Sequence, residues 1–321
     1  GVPTSTWSYG HGGGPASWAN CNPCHDTKTV TIIDPNGLRR VHTFGVRFQV
    51  NEGQLLSVDE VDAGLTLRRT QHRYRAPTGM TYPEPSGYSM HQASDFLSLR
   101  HRPLDQTVVT QQGVTFTWQA AAGSAGFDIR ARPVIATRSS SLGFTKTETT
   151  AYHDNTAKWM LGQVASVTDA SGIVQERHTY DNATANRTAS YAFGRLSDGY
   201  AYHPSGMLHW HYDSAGRGTR YSNHMRGIAQ NITYPDSTGE SAFVNNLGLL
   251  TSRTNAVGTT TSYAYDAMGR LARVTHPNEQ SLAYHPTTQA FELVNAPEYG
   301  IAAGHWRQTV ATGNAITRRY F

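Results

Sequence analysis

Short runs of alternating apolar and polar residues, each ending in a cluster of turn formers, fill this 321-residue chain. Thr260-Thr261-Ser262-Tyr263-Ala264-Tyr265 is a typical run, and Asp266-Ala267-Met268-Gly269 closes it. Alternation with period two places successive side chains on opposite faces of a strand, and Thr, Val and Tyr suit a pleated, half-buried surface. No long stretch carries apolar residues at helical spacing. In the second half the turn glycines fall at 194, 206, 216, 227, 239, 248, 258 and 269, with successive differences of 12, 10, 11, 12, 9, 10 and 11. Short strands with a turn at each end have this spacing. The pattern predicts hairpin after hairpin, with a positive φ at each turn glycine.

Two turns spell the same motif in full. Tyr265-Asp266-Ala267-Met268-Gly269-Arg270-Leu271 has its counterpart in Tyr212-Asp213-Ser214-Ala215-Gly216-Arg217. Worn copies surround them: Tyr180-Asp181 lacks the Gly, Phe193-Gly194-Arg195-Leu196 keeps the second half, and Tyr202-His203-Pro204-Ser205-Gly206-Met207-Leu208 replaces the Asp. Each copy reads as one end of a hairpin. An aromatic residue closes a strand and packs across the sheet, Asp or Asn hydrogen-bonds back into the turn, Gly takes the positive φ, and a basic or apolar residue opens the next strand. Related turns lie in the first half, at Ile33-Asp34-Pro35-Asn36-Gly37-Leu38-Arg39, Val50-Asn51-Glu52-Gly53-Gln54-Leu55-Leu56 and Asp169-Ala170-Ser171-Gly172-Ile173.

With these copies the chain resembles the bacterial Rhs, or YD-repeat, proteins, which are related to the YD shell of teneurin-type adhesion proteins. The resemblance extends over most of the chain. It implies an all-β fold in which repetitive antiparallel hairpins form part of a spiralling sheet, a hollow shell. In secreted toxin members such a shell encloses a toxic C-terminal domain; in the animal relatives it belongs to a cell-surface adhesion protein.

Composition fits an exported, sheet-rich protein. Hydrophobic residues are 38% and mean hydropathy is -0.51, which leaves little apolar material for a thick core. The organisation expected is a Gly- and Pro-rich leading loop over 1–27, a degenerate β-repeat region over 28–160 and a YD-repeat region over 161–321, all one array. A net charge of +4 is spread along the chain, and its densest basic pairs, Arg39-Arg40, Arg68-Arg69 and Arg318-Arg319, fall short of a nucleic-acid footprint. No apolar run reaches the ~20 residues that span a bilayer, and no secretory signal stands at Gly1. Thr317-Arg318-Arg319-Tyr320-Phe321 alternates like a strand and stops before any turn, so the reading is a processed or cut piece of a longer array.

Candidate chemistry is sparse. Cys21-Asn22-Pro23-Cys24-His25 spells the C-x-x-C-H haem attachment signature. No helical pattern surrounds it to build a haem pocket, so a Cys21 to Cys24 disulfide or free thiols rank ahead of a metal site with His25 and His11, and that site ahead of haem. His209-Trp210-His211 places two imidazoles on one face of a strand, within reach of His203 and His224 from neighbouring strands, but such pairs are ordinarily surface residues. Asp34-Pro35-Asn36-Gly37-Leu38 matches in letters the Asp-Pro-X-Gly-Leu sequence of shell autoproteolysis, which the resemblance places near the end of the shell. Lying between two evident strands, it reads as a hairpin turn. Three N-x-[ST] sequons, at Asn182, Asn186 and Asn231, read as turn residues. No phosphate loop and no Gly-x-Ser-x-Gly elbow is present.

The reading is a noncatalytic structural segment with no cofactor and no metal. Its defining residues are Tyr212, Asp213, Gly216, Arg217, Tyr265, Asp266, Gly269 and Arg270. Its partners are the remaining repeats and a C-terminal toxin or cargo, and its location is secreted or the bacterial cell surface. The rival is a module that binds glycans or proteins at a cell surface, using the 6 Trp and 17 Tyr as stacking platforms. A haem or metal protein built on Cys21, Cys24 and His25 is a third reading.

Overall fold

The computed structural model describes residues 6–14, 25–47, 50–76, 79–80, 82, 101–278 and 282–321. Apart from one 3-10 turn at Gly123–Gly126, the regular structure described is β. The first strands are β1 Ser8–Gly13, β2 Thr27–Ile33, β3 Arg39–Gly45, β4 Leu55–Asp62, β5 Leu65–Tyr74, β6 Leu104–Gln111, β7 Val114–Ala120, β8 Ile135–Ser140, β9 Thr145–Asn155, β10 Met160–Asp169 and β11 Val174–Tyr180. The rest are β12 Arg187–Ala192, β13 Arg195–Tyr202, β14 Leu208–Tyr212, β15 Gly218–Met225, β16 Ile228–Thr233, β17 Gly239–Val244, β18 Leu250–Thr254, β19 Thr260–Tyr265, β20 Leu271–Thr275, β21 Thr287–Val294, β22 His305–Thr312 and β23 Ala315–Tyr320.

The chain divides into two compact units. One comprises the described residues of Thr4–Asp154 and Gly162–Arg177; the other comprises Asn155–Leu161 and His178–Phe321. In the first, strands β1 to β9 pair antiparallel with their neighbours in sequence, as do β10 and β11. In the second the same meander runs from β12 to β23. The all-β antiparallel fold follows from the alternation in the sequence, because a strand that pairs with the next strand satisfies its backbone groups at the lowest loop-closure cost.

These sheets have almost no core. Among the described residues no large side chain is fully buried, and the buried apolar residues are Val46, Val61, Tyr82, Ala120, Phe127, Ala185 and Val244. Tyr82, Ala120 and Phe127 form the one cluster among them, with the Tyr82 and Phe127 rings edge to face at 6.2 Å. Cohesion comes instead from strand ladders and polar cross-strand pairs. Threonine hydroxyls meet across strands at Thr137–Thr147 (2.8 Å), Thr179–Thr188 (2.8 Å), Thr254–Thr260 (2.7 Å) and Thr287–Thr312 (2.8 Å). Each such pair contributes roughly 0.2–1 kcal/mol.

Two expectations need correction. The leading Gly-rich segment is not all loop, because Ser8–Gly13 pairs with β2 from Ser8↔Ile33 to Gly13↔Lys28. A ladder uses backbone groups only, so glycines can complete it where a β-forming partner supplies the side chains. Gly239 is not a turn glycine either. It opens β17, and Ser237 takes the positive φ of 69°. Pro235 stands at the second turn position and shifts the turn two residues towards the N-terminus, while a Cβ on Gly239 would lie 2.6 Å from the Ile232 carbonyl oxygen. That glycine serves a close backbone approach.

Candidate functional site

One turn recurs ten times among the described residues. It begins at Asp34, Asp128, Ser140, Asp169, His203, Asp213, Tyr234, Asn245, Asn255 and Asp266. In each, the fourth residue donates its N–H to the first residue's carbonyl, and the first residue donates its own N–H to the fifth residue's carbonyl. For the best copy these bonds are Gly269 to Asp266 (3.0 Å) and Asp266 to Arg270 (2.9 Å), with Gly269 at φ 78°. This is the three-residue hairpin loop whose last residue is left-handed. Asp34-Pro35-Asn36-Gly37-Leu38 adopts it between β2 and β3, with Asp34 Oδ1 accepting from the Asn36 and Leu38 N–H groups. The Asn51 segment is built differently: Arg47's carbonyl accepts from three backbone N–H groups, and Asn51 Oδ1 accepts from Arg47 N–H.

The first residue's side chain explains the Asp. Asp266 Oδ1 accepts the N–H groups of Met268 (2.9 Å) and Arg270 (2.9 Å), and Oδ2 accepts Arg270 Nε (2.7 Å). Asp213 repeats this with Ala215 (2.9 Å), Arg217 N–H (2.9 Å) and Arg217 Nε (2.7 Å). These bonds, led by the backbone N–H of Arg270 or Arg217, hold both carboxyls below the usual carboxylate range. Gly216 has φ 76°. Where Asn replaces Asp, at Asn245 and Asn255, the backbone bonds remain. Arg270 also lies over the Phe291 ring, 4.5 Å from its centroid.

The motif tyrosines differ in their use. Tyr265 donates its hydroxyl to the Leu250 carbonyl at the start of the preceding strand (2.7 Å), as Tyr202 does to Arg187 (2.8 Å), Tyr74 to Leu55 (3.0 Å) and Tyr152 to Pro133 (2.8 Å). The first three bonds tie one strand's end to the start of the strand before it, and the Tyr152 bond ties β9 to the segment that leads into β8. Burial raises the hydroxyl pKa of Tyr74, Tyr152 and Tyr202. Tyr212 instead stacks on Trp210, with centroids 5.7 Å apart and planes within 16°.

The structure adds two Arg–Asp clamps that the motifs do not announce. Asp105, 7% exposed, receives Arg73 Nε (2.9 Å) and a two-pronged contact from Arg75, which also donates to the Ala121 carbonyl (2.8 Å) and stands over the Phe127 ring. Asp154 receives Arg132 through both oxygens (2.7 and 2.9 Å), Arg130 Nε (2.9 Å) and the Gly162 N–H (2.9 Å). Arg132 also reaches Asp128 and lies 4.3 Å from the Tyr152 ring centroid. The Arg132 hydrogen bond above all holds Asp154 well below the usual carboxylate range. In sequence the trace is Arg-x-Arg, at Arg73-Tyr74-Arg75 and Arg130-Ala131-Arg132.

The histidines separate. His203 stacks on His209 at 4.2 Å and meets His224 edge-on at 5.4 Å, whereas His211 stacks on Tyr200 and bonds Asp198 (2.8 Å). A register shift between Ala201 and Tyr202 leaves His209 out of the pairing, so the two imidazoles of β14 have different partners instead of sharing a site. Partial burial, then His203, Arg220 and His224, lower the His209 pKa. No group of three or more His, Cys, Asp or Glu suited to a metal ion occurs among the described residues. Cys21 and Cys24 lie outside the described residues; His25 is exposed, as is His11 in β1. Asn182 and Asn186 fall in the connection from β11 to β12, and Asn231 lies in β16. Among the described residues no helix is long and apolar enough to cross a membrane.

Residues 245–280, the turns at Asn245, Asn255 and Asp266 included, match the family model RHS Repeat. The Tyr-Asp recognition thus has a direct counterpart in sequence. Comparison with curated proteins gives no match. Among solved structures, the chain is similar to "Crystal Structure of TcdB2-TccC3-Cdc42" at 14% identity and TM-score 0.38, over 92% of this chain and 19% of that one. It is similar to the Photorhabdus luminescens Tc holotoxin pore at 13% identity and TM-score 0.45, over 92% of this chain and 15% of that one. A porin-like protein from Bacteroides uniformis gives 11% identity and TM-score 0.18, over 92% of this chain and 90% of that one. The chain therefore spans less than a fifth of the length of the first two of these chains.

Proposed function

We propose that this chain, which carries an RHS repeat at 245–280, is a noncatalytic structural segment of a Rhs/YD-repeat β-shell that encloses a toxin or cargo domain. The observation that carries the reading is the recurrence of one turn, with the same two backbone hydrogen bonds, from Asp34 to Asp266. A wall needs extent and closure at its edges more than it needs a core, and a repeated hairpin supplies extent without requiring each unit to bury an apolar centre. The sparse buried residues fit that role. Tyr212, Asp213, Gly216, Arg217, Tyr265, Asp266, Gly269 and Arg270 are architectural in this reading.

The partners proposed are further repeats and the enclosed chain, and the protein acts outside the cell that makes it. Containment is the mechanism: a β wall keeps protease and cytosol away from the cargo until delivery. Limited proteolysis of the complete parent protein tests it. Segments beyond the repeats should survive protease concentrations that digest the same segments expressed separately. Equal digestion rates would remove the encapsulation role.

A further inference from the structure

We propose that the cleft above Gly218 is a binding site for an acidic saccharide, a short pyranose chain bearing carboxylate or sulfate groups. The cleft has a volume of about 530 Å³ and is walled by Trp210 and Tyr212 from β14 and by Tyr234 and Pro235 from the turn after β16. Gly218 stands opposite Tyr212 in the β14–β15 register. A Cβ there would lie 2.9 Å from Tyr212 Cε1 and 3.0 Å from Trp210 Cε3, so the two rings occupy the space any other side chain would need. The result is a tandem aromatic surface on a rigid strand pair, the kind of platform on which the apolar face of a pyranose stacks.

Charge selects the class of sugar. Arg220 pairs with Trp210 across the strands, is exposed, and holds its guanidinium 6.0 Å from the Trp210 ring centroid. Among the described residues it carries no ion pair. Of the neighbouring carboxylates, Asp213 is engaged by Arg217 (2.7 Å) and Glu240 by Arg253 (2.6 Å), while Asp236, between Pro235 and Ser237, accepts from the Thr238 N–H (3.0 Å) and hydroxyl (2.7 Å). The cleft thus presents one unmatched cation beside an aromatic platform, suited to a planar anionic group that accepts two N–H bonds. A single-stranded nucleic acid would also stack here, but it needs a row of cations following its backbone, and of the cleft's two arginines Arg217 is tied to Asp213, which leaves Arg220 alone.

Isothermal titration of the chain with trigalacturonate, maltotriose and an oligothymidylate tests the proposal. Trigalacturonate should bind saturably, and maltotriose, of similar size but neutral, should bind about tenfold more weakly. Arg220→Gln, an exposed substitution, should lower trigalacturonate affinity by a similar factor with the melting temperature unchanged. Trp210→Ala should abolish binding, and Gly218→Ser, which fills the platform's floor, should do so independently. Absence of saturable trigalacturonate binding, equal affinity for maltotriose, tighter binding of oligothymidylate, or unchanged affinity in Arg220→Gln would each overturn the assignment. None of these outcomes depends on whether the sheet encloses a cargo.

Discussion

Two regions of this molecule hold their strands with a different balance of local and distant bonds. From His203 to Thr275 the connections are short and self-sufficient: Asp266 and Arg270, four residues apart, close their own loop through backbone and side chain together. From Arg73 to Asp154 local turns recur at Asp128 and Ser140, but charge pairs from a distance are added to them. Arg132 reaches Asp154 across 22 residues, Arg75 reaches Asp105 across 30, and the same guanidinium takes the Ala121 carbonyl across 46. A sheet without a thick core has two ways to order a connection. Local hydrogen bonds order a short loop at small entropic cost, and fixed charges anchor a connection to strands further along the chain.

The largest expected effect falls on the clamped region. Asp154→Ala leaves Arg130 and the Gly162 N–H without this acceptor and Arg132 with Asp128 alone, and should cost roughly 3 kcal/mol in urea unfolding. A loss below about 1 kcal/mol would mean that the clamp is ornamental and the contrast false. Next come the turn glycines. Gly269→Val and Gly258→Val each force a β-branched residue to φ near 80°, at a cost of about 1–3 kcal/mol. Unchanged melting midpoints in both would remove the local-turn account.

Acid should separate the regions. Carboxyls whose folded pKa is depressed contribute stability that is complete above the ordinary carboxylate range, near about 4, and lost as pH falls through the depressed value. Asp213 and Asp266 are lowered chiefly by a backbone N–H, whereas Asp154 is held further down by Arg132. Hydrogen exchange followed downward from pH 5 should therefore show the 213–217 and 266–270 turns loosening before the Asp154 contacts. The reverse order would break the comparison. The smallest effect sharpens it: Ser237→Gly relieves a side chain at φ 69° and should raise stability by roughly 1 kcal/mol or less. A lowered midpoint would mean that Ser237 is held by contacts beyond its turn.

The sequence by itself determined the strands, their antiparallel order and most of the turns, because these rest on interactions within five residues and on period-two alternation. Asp266, Gly269 and Arg270 were legible for that reason, as was the hairpin at Asp34-Pro35-Asn36-Gly37. What depended on the partner strand was not legible. Gly239 has the spacing of a turn glycine, yet Pro235 moves the turn and a neighbouring carbonyl claims its missing Cβ. His209 and His211 sit two apart, yet a register shift gives them different surroundings. Gly218 looks like any strand glycine until the Trp210 and Tyr212 rings are seen over it. The Arg-x-Arg pairs showed two cations and no hint of Asp105 or Asp154, since an ion pair across 22 to 30 residues is decided by which loops the tertiary structure brings together. Local geometry is encoded by residue type and spacing; charge pairing and ring packing between strands are set by register, which only the assembled sheet specifies.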